Sequence, residues 1–152
     1  VTIAVGPQIA QLYALESKEK LQKLIFIASR FSFTAAILSF VVLLSFGEQL
    51  LKIVFGTDYA VAIGPLLILS IGQLFLAFFG LASTILIMTG GEKASLKIFL
   101  VASIANILLN AVFIPIYGMI GAALSTAATL SMAHATLSYT VNQRMDLRTT
   151  PV

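Results

Sequence analysis

Long apolar runs and short charged clusters alternate along the chain. The uncharged runs cover residues 31–47, 59–91 and 98–143. A helix needs about 20 apolar residues to cross the roughly 30 Å hydrocarbon core of a membrane. The last run is long enough for two crossings, and it contains Pro115 and Gly118, residue types that interrupt helices. The first run reaches the required length because the residues just before it are also apolar.

The pattern therefore predicts four transmembrane helices in an all-α integral membrane protein. Their expected ranges are about 26–46, 62–88, 95–113 and 119–141, together forming a transmembrane region over 26–141. Buried helices of a soluble protein are the alternative explanation of such runs. We disfavour that alternative because none of the four predicted helices has a charged face.

Composition supports the membrane assignment, since 59% of the residues are hydrophobic and 10% are charged. Soluble domains carry about 25% charged residues. The net charge of +3 is better explained by membrane topology than by nucleic-acid binding, because Lys and Arg accumulate in cytoplasmic segments. Eight of the nine basic residues fall in 1–30, 89–97 and 142–152. We therefore place residues 1–25, the connection 89–94 and the tail 142–152 in the cytoplasm, and the connections 47–61 and 114–118 outside.

Residues 1–25 do not resemble a signal peptide, because they have no basic leading region and contain Gly6 and Pro7. We interpret them as the end of a preceding span followed by an interfacial connecting helix over about 8–24. We expect the chain to be the C-terminal part of a longer protein.

A few polar side chains inside the apolar runs are candidate substrate contacts: Arg30, Gln73, Asn106 and Asn110. The two asparagines share one helix face and suit either hydrogen bonding between helices or the lining of a cavity. Gln73 begins a stripe of mostly small residues, continued at 77, 80 and 84, with the same two interpretations. Arg30 lies near a predicted cytoplasmic helix end, where a guanidinium attracts phosphate groups.

His134 is the only histidine, with Ser131 and Ser138 on the same helix face. A hydrogen-bonded structural role is favoured over a proton relay. The chain has no cysteine, and no carboxylate lies inside a predicted span. We therefore expect no metal site, no cofactor and no catalytic residues, and we do not expect an enzyme.

Several segments of the chain have a familiar pattern. They are Phe-Gly-Thr-Asp-Tyr-Ala at 55–60 followed by 67–73, Met-Thr-Gly-Gly-Glu-Lys at 88–93, Asn-Ile-Leu-Leu-Asn at 106–110, and the Pro-Ile-Tyr-Gly block within 114–123. Together they resemble the C-terminal part of polysaccharide biosynthesis membrane proteins. These are Wzx-type oligosaccharide flippases of the multidrug/oligosaccharidyl-lipid/polysaccharide exporter superfamily.

The resemblance implies a MATE-like transporter fold, with two bundles of six helices around a central cavity. It implies a protein of the bacterial or archaeal cytoplasmic membrane that flips polyprenyl-pyrophosphate-linked oligosaccharide. The expected partners are membrane lipid, the polyprenyl-linked sugar and the missing N-terminal helix bundle, with no nucleic acid.

Three alternatives remain open at this point. A multidrug or metabolite exporter of the same superfamily would be favoured by an intramembrane carboxylate in the missing half together with ion-dependent drug efflux. A non-transporting scaffold subunit would be favoured by a gene that starts here. A membrane glycosyltransferase is least favoured, because no nucleophile, base and acid are arranged for catalysis.

Overall fold

The computed structural model describes residues 2–145, 147 and 149–151, and no strand occurs among them. Six α-helices and one 3-10 helix are present in this part of the chain. They are α1 (Thr2–Ala14), α2 (Lys18–Phe55), the 3-10 helix (Thr57–Ala62), α3 (Ile63–Phe78), α4 (Ala82–Met88), α5 (Glu92–Tyr117) and α6 (Met119–Met145).

Three helical segments of the described chain are long and apolar enough to cross a membrane. They are Lys18–Phe55, Thr57–Phe78 and Glu92–Tyr117. The fourth expected span, 119–141, falls within α6, which has the length at 27 residues but a less apolar composition. The all-helical membrane character is therefore supported, and the count of four spans stays a prediction.

The composition of α6 follows from its central position. It contacts α3, α4 and α5, and it buries seven residues, whereas α3 and α5 bury one each. Most of the seven are small or hydroxylated: Gly121, Ala123, Ser125, Thr129, Ala133, Leu137 and Val141. Helices in membranes approach closely through such residues. A helix that contacts several other helices uses small and hydroxylated residues for close packing. Because these residues are less apolar than lipid-facing ones, its hydropathy is lower.

The span expected over 62–88 is divided into two helices. α3 ends at Phe78 and α4 begins at Ala82, and Gly80 between them has a φ of +65°. Only glycine adopts this left-handed conformation without a steric cost. We call residues 79–81 the Gly80 break.

The first helices differ from the expected connector and first span. The helix expected over 8–24 is interrupted, because α1 ends at Ala14 and Glu16 has a φ of +52°. From Lys18 onward one helix runs through the expected span 26–46 and continues to Phe55. Much of the expected connection 47–61 is therefore helical. The ion pair between Glu48 and Lys52, at 2.5 Å and spaced four residues apart, supports this extension.

The turn expected around 114–118 occurs, but it is tighter than the sequence indicates. α5 continues through Pro115 to Tyr117, and the chain reverses at Gly118, whose φ is +57°. Pro115 lacks the N–H that would bond four residues back and its ring crowds that carbonyl, so it weakens the last turn of α5 just before the chain reverses.

The buried apolar core lies at one end of the bundle, where α1, the start of α2, α4 and the end of α6 meet. Its members are Ile9, Leu21, Ile25, Ala28, Leu81, Ala82, Ile85, Leu86, Leu137, Val141 and Leu147. Leu147 belongs to the tail expected over 142–152, so part of that tail is buried in the bundle. We call residues 147 and 149–151 the returning segment. Arg148, which entered the charge count, lies outside the described residues.

Candidate functional site

A polar cavity of about 490 Å³ lies between α2, α3, α4 and α6. The residues that line it are Ser32, Ala36, Ser39, Phe40, Leu43, Ser70, Gln73, Leu76, Ala77, Gly80, Leu81, Ser83, Thr84 and His134. None of these residues carries a formal charge when His134 is neutral. Hydroxyl, amide and imidazole groups therefore give the cavity its polarity.

Two of the cavity hydroxyls are anchored to their own helices. Ser39 Oγ donates to the carbonyl of Ala35 at 2.9 Å, and Ser70 Oγ donates to the carbonyl of Leu66 at 2.8 Å. Such back-bonding fixes the hydroxyl and uses its single proton. The oxygen lone pairs remain as acceptors, so these serines favour a ligand that donates hydrogen bonds.

His134 contributes the imidazole of the cavity from α6. Its ring meets Phe99 edge-on, with centroids 5.9 Å apart and an interplanar angle of 71°. Its Nδ1 is buried and has no hydrogen-bond partner among the described residues. The expected partner Ser138 instead contacts Thr149 through its hydroxyl. A buried unpaired nitrogen costs free energy, so His134 leaves one polar atom unsatisfied beside the cavity.

The Gly80 break brings irregular backbone to the cavity wall. Gly80 and Leu81 line the cavity together with Ser83 and Thr84 from the start of α4. In transporters, interrupted helices place their sites where the backbone leaves helical geometry. The stripe of Gln73, Ala77, Gly80 and Thr84 identified from the sequence therefore faces this cavity.

Asn106 and Asn110 lie away from the polar cavity, between α5 and α6. Asn106 Nδ2 donates to Thr129 Oγ1 at 3.0 Å, and Asn110 Nδ2 donates to Asn106 Oδ1 at 2.9 Å. Thr129 Oγ1 in turn donates to the carbonyl of Ser125 at 2.7 Å. Asn106 thus bonds between helices, whereas Asn110 bonds to Asn106 on its own helix.

Arg30 is exposed and does not line the polar cavity. Its guanidinium carbon lies 5.3 Å from the centroid of the Phe26 ring, a cation–π arrangement on the surface of α2. Of the four candidate residues, the structure places only Gln73 in the cavity. The serines at 32, 39, 70 and 83 were not among the candidates, because two of them lie on α2 and one each on α3 and α4, and the sequence does not show that these helices meet.

The interhelical asparagine gives a direct prediction. Replacing Asn106 by leucine removes its bond to Thr129 and should weaken the packing of α5 on α6. Interhelical hydrogen bonds in membranes contribute about 0.6 kcal/mol on average and up to about 1.7 kcal/mol. Reversible unfolding in mixed detergent micelles measures the loss. A double-mutant cycle with Thr129→Val should show coupling, and Ile107→Val on the exposed side of α5 serves as the neutral control. A coupling of zero would contradict the assignment.

Two known proteins are similar to this chain. One is the capsular polysaccharide biosynthesis protein CapF of Staphylococcus aureus, which is 35% identical over 137 residues that cover 88% of the chain and 33% of CapF. The other is the uncharacterized membrane protein MJ1068 of Methanocaldococcus jannaschii, which is 35% identical over 81 residues that cover 53% of the chain and 16% of MJ1068. The chain thus spans about a third of CapF or less than a fifth of MJ1068. No protein-family model matches the chain, and no solved structure matches it significantly.

Proposed function

We propose that the chain is part of a membrane protein of polysaccharide biosynthesis that moves lipid-linked oligosaccharide across the membrane. The similarity to CapF and the three apolar helices support the first part of this proposal, a membrane protein of polysaccharide biosynthesis. The observation that supports the second part, the transport of lipid-linked oligosaccharide, is the uncharged, hydroxyl-rich cavity beside a broken helix.

The chemistry of the cavity suits a sugar headgroup. Burying a hydroxyl in an apolar medium without a hydrogen bond costs several kcal/mol. The amide of Gln73, the imidazole of His134 and the serine hydroxyls offer both donors and acceptors. A sugar that enters the cavity exchanges its water for these groups, while its polyprenyl chain stays in the surrounding lipid.

The charged part of such a substrate needs a different contact. Arg30 is exposed on α2, one turn beyond Phe26, and the cavity begins at Ser32 on the same helix. We assign Arg30 the role of attracting the pyrophosphate at the membrane surface, outside the cavity. The missing helix bundle would complete the path and provide the second side of an alternating-access transporter.

A drug or metabolite exporter of the same superfamily remains a second candidate. His134 favours it, because it is the one titratable side chain among the residues that line the cavity, and an imidazole there is able to bind a transported proton. A His134→Gln variant separates the two candidates. Ion-dependent drug efflux that this variant loses, in a protein that does not flip oligosaccharide, would favour the exporter.

The proposed function predicts that Gln73→Leu slows transport in the complete protein. The substitution keeps the side chain's approximate size and removes a donor and an acceptor from the cavity. Since one hydrogen bond contributes about 0.5–1.5 kcal/mol, the transport rate should fall by roughly two- to tenfold. The assay follows polyprenyl-pyrophosphate-linked oligosaccharide in proteoliposomes by its accessibility to an added glycosidase.

The matched control is Gln143→Leu, the same change at an exposed position of α6 outside the cavity. It should leave transport unchanged. Equal rates for both variants, with both folded, would refute the role of the cavity. We also expect these 152 residues alone to be inactive, because they provide one side of the path at most.

A further inference from the structure

A groove of about 400 Å³ runs between α5 and α6, and its chemistry differs from that of the polar cavity. The residues that line it all come from these two helices: Lys97, Ile98, Val101, Ala102, Ala105, Thr129, Met132, Ala133 and Thr136. No described residue lines both this groove and the polar cavity. We call it the α5–α6 groove. From Lys97 to Ala105 it follows α5 for about 12 Å, at 1.5 Å per residue.

Small side chains give the groove its depth. Ala133 is 3% exposed and forms the floor together with the half-buried Ala102 and Ala105. Val101 and Met132 stand beside this floor and are 67% and 70% exposed. The groove is therefore a recess in the outer surface of the α5–α6 hairpin, between larger apolar side chains.

The two threonines of the groove do not make it polar. Thr129 Oγ1 donates to the carbonyl of Ser125 at 2.7 Å, and Thr136 Oγ1 donates to the carbonyl of Met132 at 2.8 Å. Each hydroxyl thus uses its single proton within its own helix. Apart from Lys97, no side chain that lines the groove has a free hydrogen-bond donor. A polar group buried there would lose its bonds to water without replacement, so the groove suits a hydrocarbon chain.

Positive charge lies at one end of the groove. Lys97 lines it, Lys93 is exposed one turn earlier on the same face of α5, and neither has an ion-pair partner among the described residues. With Glu92 beside them, the net charge of this helix end remains positive. This end of α5 follows the connection 89–94, which the charge distribution predicts to be cytoplasmic. Anionic lipids give the cytoplasmic leaflet a negative surface that attracts such basic residues.

We propose that the α5–α6 groove binds one anionic glycerophospholipid of the cytoplasmic leaflet. One acyl chain lies over the alanine floor, and the phosphate pairs with Lys97. A helix from the rest of the protein would also cover an apolar recess, but it would not by itself supply the anion that complements the lysines. The polyprenyl-linked substrate is disfavoured, because the groups suited to a sugar line the polar cavity instead. The proposal therefore does not depend on the proposed function.

A photo-reactive lipid tests the occupant directly. The complete protein is reconstituted in nanodiscs of phosphatidylcholine that contain a trace of phosphatidylglycerol with a diazirine on one acyl chain. After illumination, digestion and mass spectrometry locate the adducts. We expect adducts within 97–105 and 129–136, the two stretches that line the groove. Unlabelled phosphatidylglycerol should abolish them, although phosphatidylcholine is present in excess throughout.

Two variants separate the contribution of charge from that of shape. Lys97→Gln should lower the yield of groove adducts about fivefold, because it removes one basic residue beside the headgroup. Lys20→Gln is its control, since Lys20 is exposed near the start of α2 and lies outside the groove. Ala105→Leu should lower the yield by filling the deep end of the recess. The same change at the exposed Ala111 of α5, outside the groove, should have no effect.

Three results would overturn the proposal. Equal groove labelling by diazirine-bearing phosphatidylcholine would show ordinary lipid contact without a site for an anionic headgroup. No adduct in the groove of the folded protein would show that other helices cover it. Displacement by polyprenyl-pyrophosphate-linked oligosaccharide at lower concentration than by phosphatidylglycerol would assign the groove to the substrate and leave the proposed function intact. If Ala105→Leu does not fold, the surface variant Lys97→Gln still decides whether the headgroup binds there.

Discussion

Gly80→Ala is expected to destabilise the bundle by about 2–5 kcal/mol. A left-handed conformation costs a residue with a Cβ atom about 1–2 kcal/mol. The added methyl group also collides with the Thr149 carbonyl and Ser29, and such overpacking costs typically 1–3 kcal/mol. Reversible unfolding in mixed detergent micelles measures the total loss in the free energy of unfolding.

Gly90→Ala is the matched control for this substitution. Gly90 also has a positive φ, at +80°, but nothing lies within 4 Å of its added Cβ. The Gly90→Ala variant should lose only the cost of the left-handed conformation, about 1–2 kcal/mol of the free energy of unfolding. The difference between the two variants measures the contact with the returning segment. Equal losses would show that Thr149 does not pack against the Gly80 break.

Gly121→Ala is expected to separate the α5–α6 hairpin at its closest point. A Cβ atom there would collide with the backbone carbonyl of Phe113 and lie 3.1 Å from the backbone nitrogen of Ile114. Backbone atoms inside a helix have little freedom to move aside, so the cost should lie at the upper end of about 1–3 kcal/mol. The same unfolding assay applies, supplemented by proteolysis at the hairpin.

Gly64→Ala provides the comparison for the hairpin glycine. Gly64 is also helical, but its added Cβ would meet nothing within 4 Å. Its unfolding free energy should change by no more than about 0.5 kcal/mol. A Gly121 variant as stable as the Gly64 variant would mean that the two helices are further apart than described.

The sequence was most informative where burial and helical period act together. Long uncharged runs predict apolar helices because lipid leaves the backbone no other way to satisfy its hydrogen bonds. The stripe from Gln73 to Thr84 lies along the cavity wall, in line with one of its two interpretations, since residues three and four apart share a helix face. Asn106 likewise has an interhelical partner in Thr129, one of its two interpretations.

Tertiary contacts decided the features that the sequence did not reveal. At the Gly80 break, the carbonyl of Thr149, which is distant in sequence, occupies the space that a side chain would need. The burial of Leu147 depends on a core assembled from four helices, although its neighbours in sequence are charged or hydroxylated. The serines of the cavity become a group only when α2, α3 and α4 are brought together.

The central claim is that the polar cavity contacts the sugar of a lipid-linked oligosaccharide. A photo-reactive amino acid at position 73 of the complete protein tests it most directly, with the same residue at position 107 on the exposed side of α5 as the control. After illumination with radiolabelled polyprenyl-pyrophosphate-linked oligosaccharide, we predict a labelled adduct at 73 that excess unlabelled substrate abolishes. Labelling at 107 should be weak and insensitive to competition. Equal labelling at both positions, or none at 73 in a folded protein, would contradict the account.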